Sequence, residues 1–445
     1  MESAVLHRDL TKTYPIAVSG EGVYVITKEG NKILDGSSGA AVSSVGHGNK
    51  EVIEAIVDQI RTLSFAYTAF FTSQVAEDLA SHIIDQSGPG TFSKVLFTSS
   101  GSEAVESALK AARQYHVFNG DLKRVNFIGR INSYHGNTLG AMSAGLNPSR
   151  REAFEPMLGS VFHHVSRCFY TEDGKGLSEE EYEDRLIGEF EAKMQSLGPE
   201  TVAAVIVEPV VGASLGAVAA TPTYLPRLKA LCQKHGILAI WDEVMCGMGR
   251  IGSYHAWQGL GGAVPDLQTI GKGLGAGYLP LSAVLIGTKV YDTFNKCASG
   301  PKTFMNGHTF QAHPAACAGA LAVQKIIQRD QLLANVRERG EQLDSALRER
   351  LPAHVLEHPG SLRGVGLFRC VDFGTLEASL GGPLAQEVAD ETFNKGAAVY
   401  PCSLPRDAVI LAPPYIISPE EIETLVEAFS EATKTVLQRR GGLRS

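Results

Sequence analysis

Short apolar runs alternate with amphipathic helical patterns along most of this 445-residue chain. Each run ends in glycine or polar residues, and its length is typical of a buried strand rather than of a helix. An alternation of this kind predicts an α/β fold in which helices cover a mostly parallel sheet through right-handed crossovers. The predicted strands span residues 94–98, 125–129, 202–207, 237–241, 267–270 and 282–286, and the predicted helices include residues 102–115 and 223–235.

Long helical patterns follow Pro314 and indicate a smaller C-terminal unit. Helices are predicted over residues 315–328, 331–350 and 419–439, with a strand-like segment at 367–371. The length of the chain is sufficient for one large and one small domain. We predict a large domain over residues 56–320, a small α+β domain over 321–445, and an N-terminal segment, 1–55, that packs with the small domain.

Charge and cysteine content argue against several classes of protein. The net charge of −8 and the pI near 5.9 oppose nucleic acid as the main partner. The seven cysteines are scattered and form no C-x-x-C pair, which favours free thiols in a reducing compartment and opposes a zinc site. No segment approaches the ~20 apolar residues of a membrane span, and no targeting signal is recognisable, so we expect a cytoplasmic protein.

An acid and an amine follow two of the predicted strands. Asp242 comes directly after the strand at 237–241, and Lys272 lies just past the strand at 267–270. Because the carboxyl ends of parallel strands meet at one edge of a sheet, both side chains can face one small molecule there. Pyridoxal phosphate requires this pair. Its aldehyde condenses with a lysine amine, and its ring nitrogen serves as an electron sink while a carboxylate keeps it protonated.

A phosphate site is predicted where the strand at 94–98 turns into a helix. Ser100, Gly101 and Ser102 form that turn. Backbone N–H groups and the positive end of the helix dipole converge there, which holds a phosphate without a lysine. The alternative is a plain helix start capped by Ser102. The position of the turn upstream of the acid and the amine favours the phosphate site.

An aromatic turn follows the strand at 125–129. An aromatic ring at a strand end can stack on a planar cofactor, and Tyr134 or His135 is placed to do so. The alternative is an ordinary turn with a half-buried tyrosine. Taken together with the other strand-end residues, the turn is predicted to be a stacking face.

The order and spacing of these motifs resemble the class-III aminotransferases, which are pyridoxal-phosphate enzymes of fold type I. The resemblance covers nearly the whole chain. It rests on Leu34-Asp35-Gly36, Ser100-Gly101-Ser102-Glu103-Ala104, Ser133-Tyr134-His135-Gly136, Glu208-Pro209-Val210, Asp242-Glu243-Val244, Gly247-Met248-Gly249-Arg250, Lys272-Gly273-Leu274-Gly275, Gly307-His308-Thr309-Phe310 and Pro413-Pro414. It implies transfer of an amino group from an amine or amino acid to a keto acid or ketone, with the cofactor passing through its pyridoxamine form.

The resemblance also implies roles for individual residues. Lys272 matches the lysine that forms the Schiff base and then moves a proton, and Asp242 matches the carboxylate at the ring nitrogen. Val244 and Tyr134 would lie on opposite faces of the ring. The further cofactor positions are Ser100, Gly101, Ser102, His135, Glu208, Met245 and Thr309. In the family the threonine comes from the neighbouring subunit, so a homodimer with shared active sites is expected.

Departures from the common family pattern concern the substrate. Met245 stands where glutamine is frequent, and Ile410 stands where many members hold a substrate carboxylate with an arginine. In having apolar residues at these positions, the sequence resembles the amine-accepting, ω-type members of the family. Arg406 lies four residues upstream of Ile410 and is a candidate mobile partner for a carboxylate, with a surface arginine as the alternative.

The resemblance places further pocket residues in the N-terminal part of the chain. Ala40 and Ala41 stand roughly where some amine transaminases carry a tryptophan, and Ala41 would leave room for a bulky or long substrate. Tyr67, Phe70 and Phe71 are expected to line the same pocket.

Other outcomes stay open at this point. An aminomutase or a decarboxylase uses the same scaffold, and the residues around the ring alone do not separate these reactions. A protein that binds the cofactor without catalysis is a third alternative. It is disfavoured because Lys272 and Asp242 are both present.

Overall fold

The computed structural model describes residues 4–297 and 304–442. The strands are β1 (Ala17–Glu21), β2 (Tyr24–Thr27), β3 (Lys32–Asp35), β4 (Phe92–Thr98), β5 (Asn126–Arg130), β6 (Phe162–Val165), β7 (Val202–Val207), β8 (Val210–Val211), β9 (Val218–Ala219), β10 (Leu238–Asp242), β11 (Leu267–Ile270), β12 (Ser282–Gly287), β13 (Leu362–Val365), β14 (Phe368–Asp372), β15 (Ala397–Ala398), β16 (Tyr400–Pro401) and β17 (Ala408–Leu411).

The helices range from single turns to more than five turns. They are α1 (Ser38–Ala41), α2 (Lys50–Thr62), α3 (Gln74–Ser87), α4 (Gly101–Phe118), α5 (Leu139–Ala144), α6 (Pro148–Arg151), α7 (Tyr170–Asp173), α8 (Glu179–Leu197), α9 (Tyr224–Lys234), α10 (Ala256–Gly259), α11 (Thr288–Lys296), α12 (Pro314–Arg329), α13 (Leu332–Arg350), α14 (Glu377–Leu380), α15 (Ala385–Asn394) and α16 (Pro419–Arg439). Short 3₁₀ helices span Glu152–Met157, Pro199–Thr201, Lys272–Leu274 and Ala353–Val355.

A seven-stranded sheet lies at the centre of the larger part of the molecule. Its order is β4-β12-β11-β10-β7-β5-β6. All of its pairings are parallel except the two that β12 makes with β11 and β4. The prediction of an α/β fold with a mostly parallel sheet is confirmed. The reversal of β12 is a difference from the expectation, because an apolar run carries no signal for the direction of its strand.

The central strands are buried along their whole length. Every residue of β7, β10 and β11 is buried. Helices on both faces of a parallel sheet remove both faces from water, so β7 and most of β10 are continuous apolar runs rather than alternating patterns. The predicted ranges of β7 and β11 coincide with the observed ones, and the other predicted strands of this sheet end within two residues of the observed ends. The short strand β6 was not among the predicted strands.

The N-terminal strands join the C-terminal part of the chain in a second sheet. Its order is β1-β2-β3-β15, and Leu34 of β3 stands opposite Ala397 of β15. A third sheet, β13-β14-β17-β16, packs with α13, α15 and α16 around one apolar cluster. The two ends of the chain therefore share one packed unit. The domain boundaries at residues 55 and 320 stay predictions.

The final helix has the range that the sequence predicts. Its N-cap is Ser418, whose hydroxyl accepts the N–H of Glu421 at 3.2 Å, while the Glu421 carboxylate accepts the N–H of Ser418 at 2.9 Å. This reciprocal pair satisfies two N–H groups that a helix start otherwise leaves unpaired. Within residues 4–297 and 304–442, no helix combines the length and the apolar character that crossing a membrane requires.

Candidate active site

The carboxyl ends of five parallel strands border one cavity. Ligands gather at this edge of a parallel sheet because the strands deliver their following residues to one place. The strand-end residues that line the cavity are Gly101 and Ser102 after β4, Tyr134 and His135 after β5, Glu208 after β7, Asp242, Val244 and Met245 at β10, and Lys272 after β11. The structure thus brings together most of the residues that the sequence singled out.

Three hydrogen bonds hold the buried Asp242 carboxylate. Its Oδ2 lies 2.7 Å from Nδ1 of His135. Its Oδ1 accepts a hydrogen bond from the Thr269 hydroxyl at 2.9 Å and from the Val244 N–H at 3.1 Å. Thr269 stands directly opposite because β10 and β11 are parallel neighbours. These contacts fix the carboxylate in one orientation at the cavity wall.

The backbone of Lys272 adopts a strained conformation. Its φ of 43° lies in the left-handed region, which residues with a side chain rarely adopt. Burial lowers the pKa of the Lys272 amine to about 8, although the negative charges of Asp242 and Glu208 act against this shift. A fraction of the amine is therefore uncharged near neutral pH, as nucleophilic attack requires.

The serines of the predicted phosphate turn have different roles. Helix α4 begins at Gly101, and its N-cap is Ser100 rather than Ser102, the cap expected in the alternative interpretation. The Ser100 hydroxyl accepts the N–H of Glu103 at 3.2 Å, and Ser100 does not line the cavity. The Ser102 hydroxyl lies at the cavity wall and accepts the N–H of Asn137 at 2.9 Å.

Two glycines leave space around the first turn of α4. A Cβ at Gly101 would lie 2.8 Å from Cγ1 of Val244, and a Cβ at Gly136 would lie 2.6 Å from Oγ of Ser102. Gly136 also has a φ of 138°, which a residue with a side chain rarely adopts. The first N–H groups of a helix have no acceptor within it, so this open wall can receive an anion.

Glu208 positions the aromatic turn. One carboxylate oxygen accepts the N–H of Tyr134 at 3.0 Å, and the other accepts the N–H of Gly212 at 3.2 Å. Burial raises the pKa of this carboxyl. Of the two predicted stacking rings, His135 is bound to Asp242, which leaves the ring of Tyr134 available to a planar ligand.

The predicted pocket residue Ala41 does not line the cavity, and its neighbour Ala40 does. Ala41 is 2% exposed and belongs to an apolar cluster with Val210 and Ile410. The prediction was displaced by one residue because the backbone of α1 leaves helical geometry at Gly39 and Ala40. The sequence pattern gives no sign of this distortion.

Arg406 lies in an ion-pair network instead of the predicted substrate position. Its guanidinium donates to the Glu172 carboxylate at 2.6 and 2.8 Å and to the Asp372 carboxylate at 2.9 Å. Arg406 is absent from the residues that line the cavity. In this conformation, its charge is used by two protein carboxylates rather than by a substrate.

Four other predicted site residues lie outside this cavity. Tyr67, Phe70 and Phe71 are 50%, 79% and 67% exposed, and Thr309 is exposed as well. The expectation that Tyr67, Phe70 and Phe71 line the pocket does not hold within a single chain. The expectation that Thr309 acts on another subunit stays a prediction.

Four polar residues of the cavity wall were not predicted as site residues from the sequence: Arg8, Arg150, Ser282 and Tyr400. The guanidinium carbon of Arg150 lies 5.0 Å from the centroid of the Tyr134 ring. Arg150 belongs to the short helix α6, away from the strand ends, and no motif in the sequence marks it.

Comparison with known proteins identifies the family. A sequence model described as aminotransferase class-III matches residues 6–433. The chain belongs to the class-III aminotransferase family. This aminotransferase is 39% identical over 439 residues to an uncharacterized aminotransferase of Schizosaccharomyces pombe. The alignment covers 95% of this chain and 93% of that protein. It is 32% identical to the putrescine–pyruvate aminotransferase of Pseudomonas aeruginosa, with coverage of 92% and 88%.

A solved structure extends the likeness to the fold. The omega transaminase of Pseudomonas jessenii, determined in complex with PMP (pyridoxamine phosphate), has a TM-score of 0.89 and 31% identity. The match covers 96% of this chain and 94% of that chain. This class-III aminotransferase therefore has fold type I and is a transaminase that depends on pyridoxal phosphate, as the sequence predicts.

The residues of the cavity fit pyridoxal phosphate. Asp242 offers a fixed anion for the ring nitrogen, the first turn of α4 offers N–H groups for the phosphate, and Lys272 offers an amine for the aldehyde. When bound, the cofactor supplies an electron sink for the electron pair that is released when a Cα–H bond of the substrate breaks. The protein must hold that ring, keep its nitrogen protonated and move the proton.

Proposed function

We propose that this transaminase takes amino groups from amines without a carboxylate, as well as from amino acids, and passes them to keto acids or ketones. Ile410 carries the proposal. It stands on β17 where many members have a carboxylate-binding arginine, and it is fully buried in an apolar cluster with Val210. A side chain fixed in this way offers no charge to a substrate.

The cavity wall adds to this argument. Ala40, Val210, Ala213 and Met245 supply apolar surface beside the cofactor position. Apolar lining binds a hydrocarbon substituent through the area that it removes from water. The name of the Pseudomonas aeruginosa relative couples a diamine, putrescine, with a keto acid, pyruvate. That pair of substrates is the kind that we propose for this enzyme.

We propose Lys272 as the residue that bonds the cofactor and moves the substrate proton, and Asp242 as the carboxylate at the ring nitrogen. The lowered pKa of the lysine amine supports its role as nucleophile and base. The three hydrogen bonds to Asp242 support its role, because they hold its charge in place. Tyr134 and Val244 would contact the two faces of the ring, and Ser102 would bind the phosphate.

Half-reaction spectra test the proposed donors. The purified enzyme is loaded with pyridoxal phosphate and mixed with putrescine, butylamine or L-alanine, and the loss of the pyridoxal spectrum is followed over time. We expect the two amines to convert the bound cofactor with kcat/KM values within about 200-fold of that for L-alanine, since an apolar contact contributes only ~1–3 kcal/mol to discrimination. tert-Butylamine is the control, because it has no Cα–H bond to break. Reaction of small α-amino acids alone would contradict the proposal.

We also propose that the enzyme is a homodimer with shared active sites. Its support is an aromatic patch, defined by Phe65, Tyr67, Phe70, Phe71 and Phe310, whose members are between 40% and 79% exposed. The rings of Phe65 and Phe310 lie 6.2 Å apart, so the patch connects two separate segments of the chain. Exposed apolar surface of this kind is typical of a protein interface. Thr309 precedes Phe310 directly and would reach the partner's phosphate site from this interface.

Hybrid dimers test whether Thr309 acts across the interface. Thr309→Asp places a negative charge beside the phosphate and is expected to inactivate the site to which that residue contributes. Lys272→Ala inactivates the site of its own subunit, because it removes the lysine that bonds the cofactor. If the threonine acts on the partner, one site of each mixed dimer contains both intact residues. A refolded equal mixture should then recover roughly a quarter of the wild-type sites by random pairing. If Thr309 acts within its own subunit, mixing restores no activity.

A further inference from the structure

Arg150 presents a positive charge to the active-site cavity. It lies in α6, lines the same cavity as Lys272 and Asp242, and is half-buried. Its guanidinium lies over the ring of Tyr134, 5.0 Å from the ring centroid. The Tyr134 ring therefore has a cation beside it at the edge of the cofactor position.

Two uncharged groups hold this guanidinium. Its Nε donates to the Ser403 hydroxyl at 2.8 Å, and its Nη2 donates to the Tyr400 hydroxyl at 3.4 Å. Both partners come from the segment after β15, so the C-terminal part of the chain fixes the direction of the side chain. Across the ranges that the structure describes, no protein carboxylate forms an ion pair with Arg150. Its charge remains available to a ligand.

Three other arginines of the same region differ from Arg150 in this respect. Arg151 pairs with Glu155, Arg363 pairs with Asp372, and Arg406 pairs with both Glu172 and Asp372. These pairs satisfy the positive charges within the protein. A half-buried arginine that has no anionic partner can still bind one. A carboxylate matches the planar N–H donors of its guanidinium.

We propose that Arg150 binds the carboxylate of the keto acid acceptor, and of the amino acid formed from it. This inference rests on the proposed function and names the residue that replaces the missing family arginine. The carboxylate would approach from the side of Tyr134 and α6, while Ile410 leaves the β17 side of the site apolar. An amine donor uses the same cavity without this contact. Arg150 therefore contacts the substrates that carry a carboxylate and makes no contact with a carboxylate-free amine donor.

Acceptors with and without a carboxylate test the proposal. The Arg150→Gln variant is converted to its pyridoxamine form and mixed with pyruvate or with butanal, and the return of the pyridoxal spectrum is measured. We expect kcat/KM to fall about 100-fold for pyruvate, because a charged hydrogen-bonding pair is lost, and less than threefold for butanal. Arg150→Lys, which keeps the charge but loses the planar donors, should recover part of the pyruvate rate.

Propionate provides a second measurement that needs no turnover. It carries the carboxylate without a reactive carbonyl, so its inhibition constant against butylamine should rise at least tenfold in Arg150→Gln. Arg348→Gln is the charge-matched control, since this arginine is exposed and pairs with Asp344 on α13. The control should match the wild type in every assay.

Three outcomes would overturn the inference. Equal losses with pyruvate and butanal would indicate that Arg150 only supports Tyr134. Unchanged kinetics with both acceptors would remove it from substrate binding. A pyruvate-specific loss in Arg406→Gln, with Arg150→Gln unaffected, would assign the carboxylate to Arg406.

Failure of the proposed donors gives a different result. The wild type would then react with L-alanine and pyruvate and with no carboxylate-free amine. The pyruvate kinetics of the Arg150 variants would still decide the role of Arg150 in that case.

Discussion

Replacement of Lys272 by alanine is expected to eliminate the visible absorbance of the lysine-bound cofactor and to lower kcat by at least about 10⁴-fold. The variant loses both the nucleophile that bonds the aldehyde and the base that moves the substrate proton. No second lysine lines the cavity in the described residues, so no neighbouring amine takes over. Absorbance spectra of the loaded protein and single-turnover rates with butylamine measure the two losses separately.

Two controls separate this chemical loss from a folding defect. Lys234→Ala removes an exposed lysine that pairs with Glu191 on the surface, and it should keep both the spectrum and the rate of the wild type. Added methylamine should restore a concentration-dependent part of the activity of Lys272→Ala, because a free amine can take up the proton. Full activity of that variant without added amine would contradict the assigned role.

The chemistry of the site could be predicted because its main residues follow buried strands. The strands β10 and β11 are short, fully buried segments, and a shift of a residue or two in their ends does not move Asp242 or Lys272 from the sheet edge. Parallel pairing then brings these ends together. Local patterns were sufficient wherever the geometry of the sheet determined the position.

Residues away from the strand ends could not be placed in this way. Ala40 lines the cavity in place of Ala41 because the backbone of α1 is distorted, and the sequence of small residues there gives no sign of this distortion. Arg406 contacts Glu172, which lies 234 positions away, and such a distant ion pair has no local signal. The position of Arg150 depends on Ser403, 253 positions away, and on the placement of α6 beside the Tyr134 turn.

Replacement of Asp242 by asparagine is expected to lower kcat by roughly 10²- to 10⁴-fold, which corresponds to about 3–5 kcal/mol for removal of one partner of a buried charge pair. The variant keeps a side chain of the same size between His135 and Thr269, so pyridoxal phosphate should still bind. It no longer supplies the negative charge that keeps the ring nitrogen protonated. Stopped-flow half-reactions with butylamine measure this loss, and equilibrium titration measures cofactor affinity.

The pH dependence of the Asp242→Asn variant separates this role from simple packing. Without the carboxylate, protonation at the ring nitrogen depends on the solvent, so the residual kcat is expected to rise as the pH falls. A packing defect would lower kcat by the same factor at every pH. Asp58→Asn is the matched control, because Asp58 is exposed on α2 and pairs with Arg61 on the same helix. Retention of kcat within threefold in Asp242→Asn would show that the charge of the carboxylate has no part in the mechanism. Its three hydrogen bonds, to His135, Thr269 and Val244, would then have only a structural role.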